Sequence, residues 1–140
     1  MKKNLLFLFL TASFFFFSCA SLEDALDVKK PAYKETKEYT SMGEASSFLQ
    51  AINKAKVGAI RQGVIDIIGS EAEKNNYERI EEELYNTEYP NKYVVNEKMD
   101  VLQKSKNGGV YIIKIKIPVK MNEVSAALSK AGIFYQKNSS

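Results

Sequence analysis

The chain has 140 residues, with 20 Lys+Arg against 17 Asp+Glu, no histidine and one cysteine. That length accommodates one ordinary domain. Without histidine and with a single cysteine, Ser-His-Asp and Cys-His catalysis and His/Cys metal sites are excluded, as is an intrachain disulfide.

The first residues differ from the rest. Met1-Lys2-Lys3 is a positive start, and Leu5 to Phe17 is uncharged and apolar apart from Thr11 and Ser13. As a helix this run spans about 20 Å at ~1.5 Å per residue, short of the ~30 Å hydrocarbon core. A basic start, a short apolar run and small residues after it describe an export signal rather than a permanent membrane span. Six of the eight phenylalanines lie in this stretch, so the composition of the whole chain overstates the hydrophobicity of the remaining residues.

The Phe16-Phe17-Ser18-Cys19-Ala20 stretch resembles a bacterial lipobox. The resemblance implies cleavage between Ser18 and Cys19, with lipid on the Cys19 sulfur and Cys19 as the mature N-terminus. It makes residues 1–18 a signal peptide and the membrane a partner through the lipid. Two or more acyl chains anchor stably where one does not. Ala20 is not the aspartate that retains many such lipoproteins at the inner membrane. The expected location is therefore the outer membrane facing the periplasm, with the cell surface as the alternative. Losing Lys2 and Lys3 leaves 18 basic against 17 acidic residues, a formal +1. The mature chain is thus nearly neutral, and nucleic acid is not an expected partner.

Residues 19–42 read as the lipidated N-terminus and a polar tether containing Pro31, with a strand over Tyr39 to Met42 as an alternative. From Glu44 the period is helical. Ala45, Phe48, Ile52, Ala55, Ala59 and Gly63 recur at three- and four-residue steps, and Leu49, Ile60, Val64, Ile67 and Ile68 widen the stripe. This predicts a helix over 44–68 whose small residues permit close packing. Gly69 is placed to end it, and Ser70 with Glu73 suggests a capping box for a second helix that closes at Tyr89-Pro90. Its apolar stripe is Tyr77, Ile80 and Leu84.

The period then becomes two. Tyr93, Val95, Met99 and Val101 predict one strand face; Tyr111, Ile113, Ile115, Ile117 and Val119 predict another, with Lys114 and Lys116 opposite. The expected connection is an odd loop, Lys106-Asn107-Gly108, setting Val101 against Ile113 and Met99 against Ile115. Pro118 suggests an edge or an exit. A last helix is capped by Asn122, buries Val124, Ala127, Leu128 and Ala131, and ends at Gly132 with Ile133 in a Schellman closure. The fold class is α+β: a small two-layer domain over 43–136, in the order helix-helix-strand-strand-helix, with an antiparallel hairpin packed on the long helix. Residues 137–140 read as a disordered tail.

No catalytic residue and no cofactor are expected. Glu81-Glu82-Glu83 point in different directions on a helix, so they do not converge on a substrate. Asp66 interrupts an apolar stretch and reads as the polar side of the first helix in preference to a catalytic acid. Gly108-Gly109 joins strands and lacks the helix and GK[ST] of a phosphate loop. Residues 71–88 carry seven Glu against Lys74 and Arg79, whereas 92–120 carry seven Lys against Glu97 and Asp100. The plain account is solvated outer faces with some pairing between the second helix and the sheet. The sharper one makes Lys98, Lys114 and Lys116 a candidate partner-binding strip.

The stretches AINKAKVGAIRQGVIDIIG and YVVNEKMDVLQKSKNGGVYIIKIKIPVKMNEVSAALSKAGI resemble the small domain of LPP20-type bacterial lipoproteins and the N-terminal part of flagellar assembly protein T. Ala51, Ala55, Ala59-Ile60, Gln62 and Val64 carry the first part of the likeness. Tyr93, Tyr111, Ile113 to Val119, Leu128 and Gly132-Ile133 carry the rest. The resemblance implies a non-enzymatic domain facing the cell envelope and bound to other envelope proteins, in an assembly such as the periplasmic rings of the flagellar motor. The alternative is a module that binds a ligand or envelope polymer in a cleft between the first helix and the sheet.

Overall fold

Where the sequence pattern suggests the end of a tether, the chain is already a strand: β1 runs over Thr36–Ala45. The computed structural model describes residues 36–133. The signal segment with Ser18, Cys19, the remainder of the tether and the 137–140 tail lie outside the described residues. β1 contains the alternative strand at Tyr39–Met42 and displaces the expected boundary at residue 43. Its periodicity is faint because Tyr39 and Gly43 are its only buried residues. What holds it is β3, far along the chain, in an antiparallel register from Thr36↔Lys120 to Ala45↔Tyr111.

The long helix α1 (Phe48–Ile68) therefore starts after Glu44, at a cap that the hydrophobic period does not mark. Ser47 is the N-cap, and its hydroxyl accepts from the Gln50 N–H at 3.2 Å. Gly69, at φ +85°, ends the helix as expected. The buried face is the small-residue one: Ala51, Ile52, Ala55, Ala59, Ile60, Gly63 and Val64. It lies on β1 and β3 so closely that a Cβ on Gly43 would stand 2.0 Å from the Ala51 carbonyl oxygen and 2.5 Å from the Ala55 nitrogen.

The predicted second helix does not run unbroken to Tyr89. It divides into α2 (Ser70–Asn75), α3 (Tyr77–Ile80) and a five-residue π-helical turn over Glu81–Tyr85. The capping box does not form, because Gly69 rather than Ser70 occupies the N-cap and Glu73 is drawn inward instead. The break falls at Asn76, whose side-chain amide donates to the Ala72 carbonyl at 2.9 Å and competes with helical continuation. Ile80 and Leu84 are fully buried as the stripe predicts, while Tyr77 stays largely exposed.

The sheet has three antiparallel strands in the order β1-β3-β2. β3 (Val110–Lys120) is central and alternates as expected, with Ile113, Ile115, Ile117 and Val119 buried. β2 (Asp100–Asn107) starts later than expected. Residues 90–98 instead form two 3₁₀ turns, Pro90–Tyr93 and Asn96–Lys98, with a single bridge from Val94 to Val119. Tyr93 and Val94 are buried there, not Val95, because a turn does not keep a period of two. β2 itself buries no residue, being an edge strand.

The hairpin turn also differs from expectation. Gly108 and Gly109 form a two-residue loop, both at positive φ (55° and 82°), between the paired Asn107 and Val110. A bulge at Leu102 then shifts the register by one, so Val101 faces Ile115 rather than Ile113. Without the bulge a two-residue turn would set Val101 opposite Lys116, on the wrong face, so the bulge does what the odd loop is expected to do. Pro118 sits in the central strand, but β2 stops at the Asp100↔Lys116 pair, so no strand meets the proline on that side. Val95 N–H reaches its carbonyl at 2.9 Å.

The last helix, α4 (Met121–Lys130), begins before Asn122, with Lys120 as its N-cap and no side-chain cap bond. Met121 is pulled into the core beside Tyr39, which places the helix start one residue early. At its end the Schellman closure forms: Ile133 N–H to Leu128 C=O at 2.9 Å, Gly132 N–H to Ser129 C=O at 3.0 Å, with Gly132 at φ +74°. The domain is thus α+β with helices on one face of the sheet, in the order strand-helix-helix-helix-strand-strand-helix.

Two glycines separate backbone contact from side-chain contact. A methyl at Gly43 would meet α1 backbone, whereas one at Gly58 would meet only the Ser41 hydroxyl, at 2.2 Å, which can rotate away. Gly43→Ala is expected to cost more than about 2 kcal/mol through overpacking. Gly58→Ala is expected to stay within ~1 kcal/mol of the parent, because helix propensity offsets the local adjustment. Urea unfolding followed by circular dichroism measures both; equal losses would show that helix and strand do not meet as described.

Candidate functional site

Three polar clusters and one groove occupy the flanks of α1. At its C-terminal turns, Asp66 Oδ2 accepts from the Tyr39 hydroxyl at 2.7 Å and also from the Lys37 ammonium. The Lys37 hydrogen bond, and then that of Tyr39, holds the Asp66 carboxyl below the usual carboxylate range. Burial, reinforced by Asp66, pushes the Tyr39 phenol well above its ordinary value. Asp66 therefore faces outward, as its place in the helical period implies, but it clasps β1 to the helix.

Along the middle of α1, Arg61 grips Glu73 with two nitrogens, Nε to Oε1 at 2.9 Å and Nη2 to Oε2 at 3.3 Å. The Tyr85 hydroxyl adds a third bond to Glu73 Oε1 at 3.1 Å. Glu73 is 1% exposed, so this is a buried carboxylate with its partners in place. Burial first, then Glu73, raises the Tyr85 phenol. Tyr77 completes the cluster: the Arg61 guanidinium lies 5.5 Å from its ring and the Tyr85 ring 5.8 Å from it. The sequence pattern suggests a capping role for Glu73, and nothing local marks it as buried. Its partner Arg61 lies 12 residues earlier, on the opposite side of a glycine.

The third cluster is Lys56, 4% exposed, whose ammonium donates to Asn91 Oδ1 at 2.7 Å. Burial lowers its pKa. It lies among the small residues of α1, and its long stem reaches from the helix to the 3₁₀ turn.

The lysine strip forms only in part. Lys114 and Lys116 share the face of β3 away from α1, with Met42 and Gln103 opposite the first and Thr40 and Asp100 opposite the second. Lys116 pairs with Glu38 at 2.9 Å, which raises its pKa. Lys98 lies outside the sheet, in a 3₁₀ turn. Nor do the described ion pairs join the 71–88 glutamates to these lysines: Glu73 goes to Arg61 on α1 and Glu83 to Lys130 on α4. At the hairpin end, lysines cover aromatics instead. Lys104 lies 4.4 Å from the Phe48 ring and Lys106 4.8 Å from the Tyr111 ring, with those rings in edge contact at 6.0 Å.

A ligand cleft between α1 and the sheet has no room at Gly43, where helix backbone meets strand. The open space lies on the other side of the helix. A shallow groove of about 570 Å3 runs between Gln50, Asn53, Lys54 and Val57 of α1 and Tyr85, Asn86 and Thr87 at the end of the π-turn. The residues that line it at the end of the π-turn carry no signal in the sequence, because the turn that aims them is invisible in a helical period.

The chain matches no family model, no curated protein and no solved structure.

Two titrations check the buried and half-buried charges. Asp66→Asn should cost on the order of 1 kcal/mol at neutral pH, the screened worth of a half-exposed pair. Because the folded carboxyl titrates below the unfolded one, that difference should be complete above about pH 5 and vanish as pH falls through the folded value. A loss independent of pH would contradict the ion pair. Lys56→Met should leave stability unchanged or raise it by about 1 kcal/mol, since a buried ammonium with one amide partner is costly. With the folded pKa depressed, the parent regains stability as pH rises toward the unfolded value near 10.4, so the gap should narrow there. Denaturation midpoints between about pH 7 and 10 test this; a strongly destabilised variant would refute it.

Proposed function

We propose that this chain is a lipid-anchored, non-enzymatic adaptor of the bacterial cell envelope, held by lipid on Cys19 in the outer membrane and facing the periplasm. The anchor reading rests on Lys2-Lys3, the apolar run and Ser18-Cys19. One structural observation carries the adaptor part. On the sheet face away from α1, Thr36, Glu38, Thr40, Met42 and Glu44 of β1 and Lys114 of β3 are all exposed, and no described helix covers them. A two-layer domain of this kind leaves one flat, strand-ordered face for a partner.

That face mixes signs. Glu38, Glu44 and Asp100 interleave with Lys114, Lys116 and Lys120 across the strands. Mixed charge in fixed register favours a protein partner over an anionic lipid surface, which would select lysines alone. Engagement of Asp66 by Lys37 and Tyr39 supports a non-enzymatic role, since that carboxylate already has its protein partners. The likeness to LPP20-type lipoproteins and the flagellar assembly domain suggests periplasmic assemblies as the place to look for the partner.

Crosslinking in intact cells, followed by mass spectrometry, is expected to recover specific envelope proteins joined to Lys114 or Lys116. Cys19→Ala is expected to move the protein from the membrane fraction to the soluble one. Unchanged membrane partitioning of Cys19→Ala would refute the anchor. Recovery of no envelope partner would refute the adaptor.

A further inference from the structure

The groove beside the π-turn has its own chemistry, independent of the anchor and of the open sheet face. One wall is a single stripe of α1, with Gln50, Asn53, Lys54 and Val57 at i, i+3, i+4 and i+7. Tyr85, Asn86 and Thr87 form the other. No carboxylate lines it. Among the described residues the carboxamides of Asn53 and Asn86 and the ammonium of Lys54 have no side-chain partner. The amide donors of Gln50 are likewise unengaged, its oxygen meeting only the Ser46 hydroxyl at 3.5 Å.

The opposite wall is held in place from behind. The Tyr85 hydroxyl is bonded to Glu73, and Glu73 is buried and clamped by Arg61. The ring is therefore positioned by a buried charged network rather than by the surface. The π-turn over Glu81–Tyr85 sets where Tyr85 and Asn86 project, and such turns recur at functional sites. Hydrogen bonds behind one wall and polar groups without side-chain partners along the other fit a preformed site.

Its chemistry narrows the ligand. Carboxamides offer a donor and an acceptor side by side, which matches adjacent sugar hydroxyls. Val57 and the Tyr85 ring provide apolar surface for the C–H face of a pyranose, and Lys54 favours a negative group. A peptide shares the amide complementarity but presents no such ring face. We propose that this groove binds a glycan whose pyranose units carry a carboxylate.

The intact chain in detergent micelles, titrated by saturation-transfer NMR, tests this with three probes: a glucuronate-containing tetrasaccharide, the neutral tetrasaccharide chitotetraose and a capped tetra-alanine peptide. The acidic glycan is expected to bind about tenfold more tightly than the neutral one, and the peptide more weakly than both. Lys54→Ala should erase the preference for the acidic glycan. The double variant Asn53→Ala with Asn86→Ala should weaken both glycans by about tenfold or more while circular dichroism stays unchanged. The proposal is overturned if neither glycan binds at about 10 mM, if the peptide binds as well as the glycans, or if the asparagine variants bind like the parent.

Discussion

Everything in this domain depends on how closely α1 lies on β1. A helix usually stands off a sheet by the depth of its side chains, and here that spacing is removed at one place. Gly43 has no side chain, and Ala51 and Ala55 above it have only methyls, so backbone meets backbone. Close approach at that point lets Ile52, Ile60 and Val64 reach the isoleucines of β3, which fill the rest of the core. With no side-chain space left there, the groove lies on the outer flank of the helix instead.

The short helices and the π-turn join that flank through the buried Ile80 and Leu84 and through a polar network around Glu73. Glu73 is buried in a setting where an unpaired carboxylate would be strongly destabilising, so Arg61 and Tyr85 are obligatory companions. Together they fasten the short helices and the π-turn along α1. Asp66 does the same for β1 through Lys37 and Tyr39. Buried and half-buried charges here define geometry more than they add stability, and the groove beside Tyr85 inherits its shape from them. The proposed adaptor face is the side of the sheet that no described helix covers, and strand register sets the order of its side chains.

The long helix, the central strand and the final Schellman closure were legible because their signals are local: a 3.6 period, strict alternation over Val110 to Lys120, and a glycine followed by isoleucine. β1 was not legible as a strand of this length, since its pairing partner lies about 80 residues away and only Tyr39 and Gly43 face the core. The hairpin turn is not legible locally for a related reason. A bulge at Leu102 repairs the face mismatch produced by a two-residue turn, and no local pattern announces a bulge. Of the candidate site residues, Lys114 and Lys116 were placed on one face correctly by alternation, whereas Lys98 was not, because the strand expected there is a 3₁₀ turn. The buried pairing of Glu73 with Tyr85 has no sequence signal, since a glutamate and a tyrosine on a polar helix carry no mark of burial.

By itself, then, the order of residues determined the α+β class, the close-packing face of α1 and the absence of histidine chemistry. Each depends on residue identity or on spacing within a few turns. Only the tertiary structure decided where β1 pairs, which carboxylate is buried, which lysines are already paired and where open space remains. Those properties arise from groups distant in sequence competing for the same volume and the same partners, and a chain read in order does not contain the result of that competition.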